Sequence, residues 1–262
     1  MLHARWLSEC GTPVVFLHGL LGSQADWAET LAHLQNFPEI RPLVIDLPCH
    51  GDSRHIACDG FADFRRQLHH TLTSLLGSQP FWLVGYSLGG RLALDYSLNQ
   101  ASPNLLGTML EGANIGLKTE KERHARGQND AAWAVRFRNE PLYKVLNDWY
   151  RQPVFADLTD DKRSVLIEKR QGNSGNKIAA MLEATSLAKQ SDFRGSDWRK
   201  ITFLIGERDH KFRQMAAENH LPHRIIANAG HNAHWENPQA FAAQLIQLIR
   251  RENGSISLPR MP

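Results

Sequence analysis

Cysteine is scarce in this chain, and strongly apolar stretches are missing from it. The 262 residues include three cysteines, Cys10, Cys49 and Cys58. No two of them form a Cys-x-x-Cys pair, so their spacing supports neither a zinc ribbon nor a disulfide framework. No apolar run approaches the roughly 18 residues of a membrane-spanning helix, and Met1–Trp6 does not lead into the apolar core of a secretion signal. These absences predict a cytoplasmic protein with no membrane insertion.

The chain also lacks a large excess of charge of either sign. Thirty Lys and Arg against 27 Asp and Glu give a formal charge of +3, which provides no general attraction to nucleic acid. A hydrophobic fraction of 42% and a charged fraction of 22% exclude a wholly disordered chain. The length allows one or two domains. We therefore expect a globular protein, a monomer or a small homo-oligomer, with no nucleic-acid partner.

Short apolar runs recur along the chain, and each ends in small or polar residues. Continuous runs of four to six apolar residues are typical of strands buried on both faces of a parallel sheet. The runs are 14–17, 43–46, 81–84, 105–110, 201–205 and 224–227. Helix-length amphipathic segments, such as 61–76 and 89–98, lie between them. Alternation of this kind predicts an α/β fold with a doubly wound, mostly parallel sheet.

One region interrupts the alternation. Between about residues 115 and 198 the sequence has no convincing buried strand, and five helical segments are expected instead, at 118–126, 131–137, 142–150, 162–170 and 177–188. A helical block inserted between two strands is a candidate cap over the carboxyl edge of the sheet. We expect a core in two parts, 1–114 and 199–262, with the cap at 115–198 and a frayed tail at 252–262.

The strongest local motif is Gly85–Gly89, Gly-Tyr-Ser-Leu-Gly, directly after the apolar run 81–84. Gly-x-Ser-x-Gly between a strand and a helix is the nucleophile elbow, in which glycines permit a tight turn that presents the serine above the sheet. A small-residue turn that merely packs a helix on the sheet is the alternative. The context favours Ser87 as a catalytic hydroxyl.

A serine hydroxyl needs a base, and the base needs an orienting carboxylate. After an elbow serine these groups follow in the order acid, then histidine. Asp209 and His231 each follow an expected strand, and Glu207 and His234 are their competitors. His231 and His234 also form a His-x-x-His pair, but no third ligand supports zinc. We expect a Ser87, Asp209, His231 triad and no metal.

The expected site also needs donors for a developing negative charge. His18-Gly19 ends the first buried strand. In this arrangement the backbone N–H groups of Leu20 and Leu88 could converge on an oxyanion. His18 itself is expected to bond the loop backbone.

These motifs together resemble the α/β-hydrolase superfamily over nearly the whole chain. Four stretches show a narrower resemblance, to the 2-succinyl-6-hydroxy-2,4-cyclohexadiene-1-carboxylate (SHCHC) synthases of menaquinone biosynthesis. They are 84–91, 148–155, 179–187 and 229–234, so they include the cap as well as the core. The resemblance implies an α/β-hydrolase fold with a helical cap and a lyase that expels pyruvate without cofactor or metal. An ester or thioester hydrolase using the same triad is the alternative, and a binding protein with a silent triad is a third hypothesis.

The resemblance also implies a small-molecule substrate with three carboxylates. Arginine binds carboxylates through two parallel hydrogen bonds. Arg91 lies one helical turn after Ser87, and by resemblance Arg126 and Arg170 match substrate-binding arginines, whereas Tyr86 and Trp149 match residues that line the pocket. Taken alone, the arginines could equally be solvated and the cap aromatics could be core residues.

One position departs from the superfamily pattern. Cys49 stands in Asp46–Gly51 where a glycine is usual. If the turn requires a positive φ, cysteine is strained there. We expect this change to affect the loop and not the chemistry.

Overall fold

The structure is a computed structural model that describes residues 1–100 and 102–256. In these ranges seven strands form one sheet in the order β1-β3-β2-β4-β5-β6-β7. Every neighbouring pair is parallel except β1 and β3, which are antiparallel. The strands are β1 (Ala4–Trp6), β2 (Thr12–Leu17), β3 (Ile40–Ile45), β4 (Phe81–Tyr86), β5 (Leu105–Glu111), β6 (Ile201–Gly206) and β7 (His223–Ile226). The predicted doubly wound, mostly parallel sheet is confirmed.

Helices connect these strands and cover both faces of the sheet. In the part of the chain that the structure describes they are α1 (Ala28–Leu34), α2 (Phe61–Leu76), α3 (Leu88–Asn99), α4 (Glu120–Asn139), α5 (Leu142–Trp149), α6 (Asp160–Arg170), α7 (Gly175–Ala184), α8 (His210–Glu218), α9 (Ala233–Glu236) and α10 (Pro238–Ile256).

Alternate residues of β2 belong to different apolar cores. Val15 and Leu17 pack on one face with α2 and α3, and Val14 and Phe16 pack on the other face with α1 and α10. Successive side chains of a strand point to opposite faces, so an all-apolar strand requires helices on both. The carboxyl ends of the parallel strands are left to carry the polar residues.

Residues 112–200, all of them described, contain α4 to α7 and no strand. These helices supply most of a third apolar cluster, which also includes Leu21 from the loop after β2, whereas Met181 of α7 packs in the core on the α2 and α3 face. Two helices were expected at 118–126 and 131–137, but α4 runs without a break through Gly127. The Asp130 side chain accepts hydrogen bonds from Arg126 Nε and Ser186 Oγ and therefore does not cap a second helix.

The carboxyl-terminal helix is longer than expected. The backbone of α10 remains helical to Ile256, so the helix includes the first five residues of the tail predicted at 252–262. Earlier turns of α10 are anchored by Phe241, Leu245 and Ile249, which are fully buried, and helix propagation beyond such an anchor costs little. Residues 257–262 lie outside the described ranges. None of the described helices has the length and apolar character needed to cross a bilayer.

Cys49 does occupy a left-handed backbone conformation, with φ of 66°. Its side chain is nearly buried and packs in the core on the α2 and α3 face. Burial raises the pKa of the Cys49 thiol, which keeps it protonated and unreactive. Cysteine in place of glycine at position 49 therefore strains the backbone locally, and the packing of its side chain offsets that cost.

Candidate active site

The elbow turn joins β4 to α3 at Ser87. Its φ is 50°, a strained conformation for a residue with a side chain. The flanking glycines leave no room for a Cβ, which at Gly85 would lie 2.5 Å from the carbonyl oxygen of Gly89, and at Gly89 would lie 2.3 Å from that of His18. The turn therefore lifts Ser87 above the carboxyl edge of the sheet.

A buried histidine and carboxylate pair lies at the ends of β6 and β7. His231 Nδ1 donates to Asp209 Oδ2 over 2.9 Å, and Asp209 Oδ1 accepts the backbone N–H of Phe212 over 3.3 Å. Each of the two residues is 8% exposed. Because Nδ1 carries the proton toward Asp209, Nε2 is left as the acceptor that a general base requires.

The competing residues have other partners. Glu207 Oε2 accepts the backbone N–H of Asn228, and His234 Nδ1 lies 2.7 Å from Glu111 Oε2. The two histidines of the His-x-x-His pair therefore each face their own carboxylate. This geometry favours Asp209 and His231 over Glu207 and His234.

The end of β5 and the glycine after it contact both His231 and Ser87. A Cβ on Gly112 would lie 2.5 Å from His231 Cε1, so the imidazole edge rests on this residue. The preceding residue, Glu111, accepts the Ser87 N–H through its carbonyl over 2.7 Å. Ser87 Oγ makes no hydrogen bond to another described residue, and catalytic hydrogen bonds often form fully only when substrate binds.

The expected oxyanion donors are free. Within the described residues the N–H groups of Leu20 and Leu88 donate to no protein acceptor. Leu88 is the first residue of α3, and the N-terminus of a helix carries positive partial charge. The half-buried Leu20 follows Gly19, where a Cβ would lie 3.5 Å from that of Ser87. Both donors thus border the serine.

Two buried histidines hold the loop that carries Leu20. His18 Nε2 accepts the Leu47 N–H over 3.0 Å and its Nδ1 donates to the Gly19 carbonyl over 2.8 Å. His50 Nε2 accepts the Leu21 N–H over 3.0 Å, and Leu21 has a φ of 69°. A neutral imidazole is required for each of these acceptor roles. Burial lowers the pKa of both side chains, that of His50 to about 3.

These lowered pKa values make the fold sensitive to acid. An unfolded histidine takes up a proton below about pH 6.5, whereas buried His50 resists it until about pH 3. The stabilisation is therefore complete above pH 6.5 and is lost as the pH falls toward 3. Between pH 7.5 and 5 we expect His50 to account for about 2 kcal/mol of lost unfolding free energy. Urea unfolding at both pH values, compared with His50→Gln, measures it; equal losses in the two proteins would contradict the assignment.

Arg91 is a buried guanidinium whose hydrogen-bond acceptors are neutral. It is 9% exposed, and Nη1 donates to the Thr185 carbonyl over 2.9 Å and to Gln190 Oε1 over 3.4 Å. Burial lowers its pKa to about 9. The nearby charge of Arg126 also lowers this pKa, whereas the charge of Asp130 raises it. An unneutralised buried cation is costly, so this side chain is suited to receive an anion.

The other two candidate arginines already have carboxylate partners. Arg126 is partly exposed, and its Nε donates to Asp130 Oδ1 over 2.8 Å. Arg170 is buried and holds Asp26 through two parallel bonds of 2.6 and 2.8 Å. Although burial alone would lower the pKa of Arg170, Tyr150 and Asp26 together raise it. A substrate carboxylate at Arg170 would have to share the guanidinium with Asp26.

Aromatic rings surround His231. Its imidazole lies 5.6 Å from the Tyr86 ring, 5.9 Å from Phe155 of the helical block and 5.2 Å from Phe212, between centroids. Trp149, by contrast, packs against Trp133 and Phe137 in the cluster of α4 to α7. Tyr86 therefore borders Ser87 and His231 directly, whereas Trp149 is half-buried and contacts the aromatic residues of the cluster instead.

Sequence reasoning missed two pairs at this site: Glu111 with His234 and Asp26 with Arg170. Both join residues more than 120 positions apart. A signal existed for Glu111, because a charged residue directly after a buried run stands where α/β sheets place functional groups. Nothing local distinguishes Asp26.

Comparison with known proteins gives consistent results. The model of the alpha/beta hydrolase family matches residues 14–244. SHCHC synthases of Yersinia pseudotuberculosis serotype O:1b (strain IP 31758) and Yersinia pestis (strain Pestoides F) are each 46% identical to this chain over 246 residues, covering 93% of it and 89% of the relative. The structure of MenH from S. aureus superimposes with a TM-score of 0.85 at 25% identity, over 97% of this chain and 100% of that one. The chain belongs to the alpha/beta hydrolase family and, within it, to the family of the SHCHC synthases.

Proposed function

We propose that this chain eliminates pyruvate from 2-succinyl-5-enolpyruvyl-6-hydroxy-3-cyclohexene-1-carboxylate to give 2-succinyl-6-hydroxy-2,4-cyclohexadiene-1-carboxylate. The observation that carries the proposal is Arg91, a buried cation with neutral acceptors one helical turn from Ser87. A substrate with three carboxylates supplies the missing negative charge. The names of the relatives state the same product.

The triad acts in this proposal as a relay for one proton. Asp209 fixes the His231 tautomer, His231 Nε2 takes the proton of Ser87, and the Ser87 oxygen takes the proton from ring carbon C2, which is next to the succinyl ketone. No bond forms between serine and substrate. Nucleophilic attack is not needed because the reaction begins at an acidic C–H.

Removal of that proton places negative charge on the ketone oxygen. The free N–H groups of Leu20 and Leu88 would donate to this enolate oxygen. The electron pair then forms the C2–C3 double bond, the C3–C4 double bond moves to C4–C5, and the C5–O bond breaks. The leaving enolpyruvate takes up a proton and becomes pyruvate, and His231 gives up the proton that it took from Ser87, so protons and electrons balance without a redox cofactor or a metal.

We further propose that residues 115–198 act as the cap of this site, with the core formed by 1–114 and 199–262. The Phe155 ring on His231 and the Arg170 bridge to Asp26 support this division. A covered site excludes water and strengthens each charge interaction within it. Tyr86, Arg91, Arg126, Trp149 and Arg170 remain our proposed substrate-binding residues. The unpaired thiols of Cys49 and Cys58 suit the reducing cytoplasm, where we place the reaction.

A carboxylic-ester or thioester hydrolase is the second candidate. The strained elbow at Ser87 and the free donors at Leu20 and Leu88 favour acyl transfer as much as enolate chemistry. The two candidates differ in what Arg91 is for, because an apolar acyl group offers it no charge partner.

The deciding experiment supplies the enolpyruvyl substrate and follows pyruvate by coupled NADH oxidation and the cyclohexadiene by its absorbance. We expect both products to appear in equal amounts. Simple p-nitrophenyl esters and acyl thioesters are assayed in parallel. They should turn over at least about 100-fold more slowly, because they lack the carboxylates whose binding energy would assist the reaction. Rapid ester cleavage without pyruvate release would overturn the lyase in favour of the hydrolase.

A further inference from the structure

A second pair of histidine and carboxylate lies beneath the proposed triad. Glu111 and His234 are 1% and 2% exposed. Glu111 Oε2 lies 2.7 Å from His234 Nδ1, and Oε1 accepts the backbone N–H of the same histidine over 3.0 Å. One carboxylate therefore holds both the side chain and the main chain of His234. Burying such a pair is expensive, which makes a purely space-filling role a poor explanation.

The main chain of Glu111 holds the other half of the site. Its carbonyl accepts the Ser87 N–H over 2.7 Å, and the following Gly112 supports the His231 ring. The side chain of Glu111 meanwhile fixes His234, three residues after His231. A single residue at the end of β5 thus connects the elbow to the segment that carries the catalytic histidine.

The rings around this pair reinforce the connection. The His234 imidazole lies 4.4 Å from Trp27 and 4.7 Å from Tyr86, and the Tyr86 ring also contacts that of His231 at 5.6 Å. Thr30 Oγ1 donates to the His234 carbonyl over 2.7 Å. His234 is therefore held on its ring and on its backbone, and Tyr86 lies between the two histidines.

We propose that Glu111 and His234 are positioning residues that set the distance between Ser87 and His231, with Tyr86 kept in contact with both imidazoles. The inference rests on the proposed lyase for its activity readout. Proton relay depends steeply on this distance, because a displacement of about 1 Å can cost about 100-fold in rate. Neither residue touches the substrate in this proposal.

Three substitutions of Glu111 separate geometry from charge. Glu111→Ala removes the connection, and Glu111→Asp keeps the charge but shortens the side chain by one methylene. In Glu111→Gln the amide oxygen can still accept the backbone N–H of His234. The amide nitrogen can donate to His234 Nδ1 if the imidazole carries its proton on Nε2. Ser97→Ala is the matched control, because it removes a 2.6 Å hydrogen bond to buried Thr108 away from the site.

Two rates are measured for each variant, kcat for pyruvate release and the rate of Ser87 sulfonylation by phenylmethanesulfonyl fluoride. We expect Glu111→Ala to lower both by about 100-fold and Glu111→Asp to lower both by about 10-fold, with KM within about twofold. Glu111→Gln should recover most of each rate. Ser97→Ala should leave both rates unchanged even though it loses thermal stability.

The outcomes keep this inference distinct from the proposed function. If the wild type sulfonylates but releases no pyruvate, the lyase fails, and slow sulfonylation of Glu111→Asp still supports positioning. If folded Glu111→Asp, checked by circular dichroism, keeps wild-type values of both rates, the positioning role is wrong. The same holds if folded Glu111→Gln is as slow as Glu111→Asp or slower. The Asp and Gln variants decide the matter even where Glu111→Ala does not fold.

Discussion

Ser87→Ala should lower kcat for pyruvate release by about 1000-fold, the loss expected when a positioned proton acceptor is removed. Ser87 is the only group of the proposed relay that reaches the substrate carbon, and His231 Nε2 is oriented by Asp209 to act through it. KM should change little, because the arginines and not the hydroxyl bind the carboxylates. Steady-state kinetics of pyruvate release measures both quantities.

The strain at Ser87 gives this prediction an internal control. A φ of 50° costs any residue with a Cβ, and glycine avoids the cost. Ser87→Gly should therefore be as inactive as Ser87→Ala but more stable by up to about 1 kcal/mol in urea unfolding. Activity in either variant within about tenfold of wild type would remove the hydroxyl from the mechanism.

The buried strands could be predicted because their signal is local. β2, β4 and β6 are apolar along nearly their whole length and are covered on both faces, so composition alone marks them. β1 has three residues, Ala4–Trp6, of which the central one is exposed and the other two are half-buried, and it is held by pairing with β3. Such a strand exists because an edge is available for it, which no window of sequence records.

The placement of the proposed triad residues after strands of the sheet could be predicted for a related reason. In a parallel sheet the carboxyl ends of the strands meet at one edge, so Ser87, Asp209 and His231 could be brought together from their order along the chain. The partners of Arg170 and Arg91 could not be predicted in this way, although Arg126 pairs with Asp130 only four positions away. The bridge from Asp26 to Arg170 spans 144 positions, and the two acceptors of Arg91 lie 94 and 99 positions away. Three candidate arginines could be named beforehand, but not the fact that Arg91 alone among them lacks a carboxylate partner.

That difference makes Arg91→Met the second large effect. We expect kcat/KM to fall by 100-fold or more, because a substrate carboxylate bound in a closed site would lose a charge-assisted partner worth several kcal/mol. The fold should respond in the opposite direction. Replacing a buried, unneutralised cation by an apolar side chain of similar length should raise the unfolding free energy by about 2 kcal/mol.

Arg138→Met is the matched control on the surface of α4. Arg138 pairs with Glu183, and both side chains are more than a third exposed, so its loss should change stability by less than about 1 kcal/mol and leave kcat/KM unaltered. Urea unfolding and pyruvate release are measured on both variants. If Arg91→Met were less stable than wild type and kept its kcat/KM, the role of Arg91 would be structural, namely to connect α3 to Thr185 through a hydrogen bond. A gain in stability with a loss of turnover would mean that the fold keeps a destabilising charge in place for the substrate.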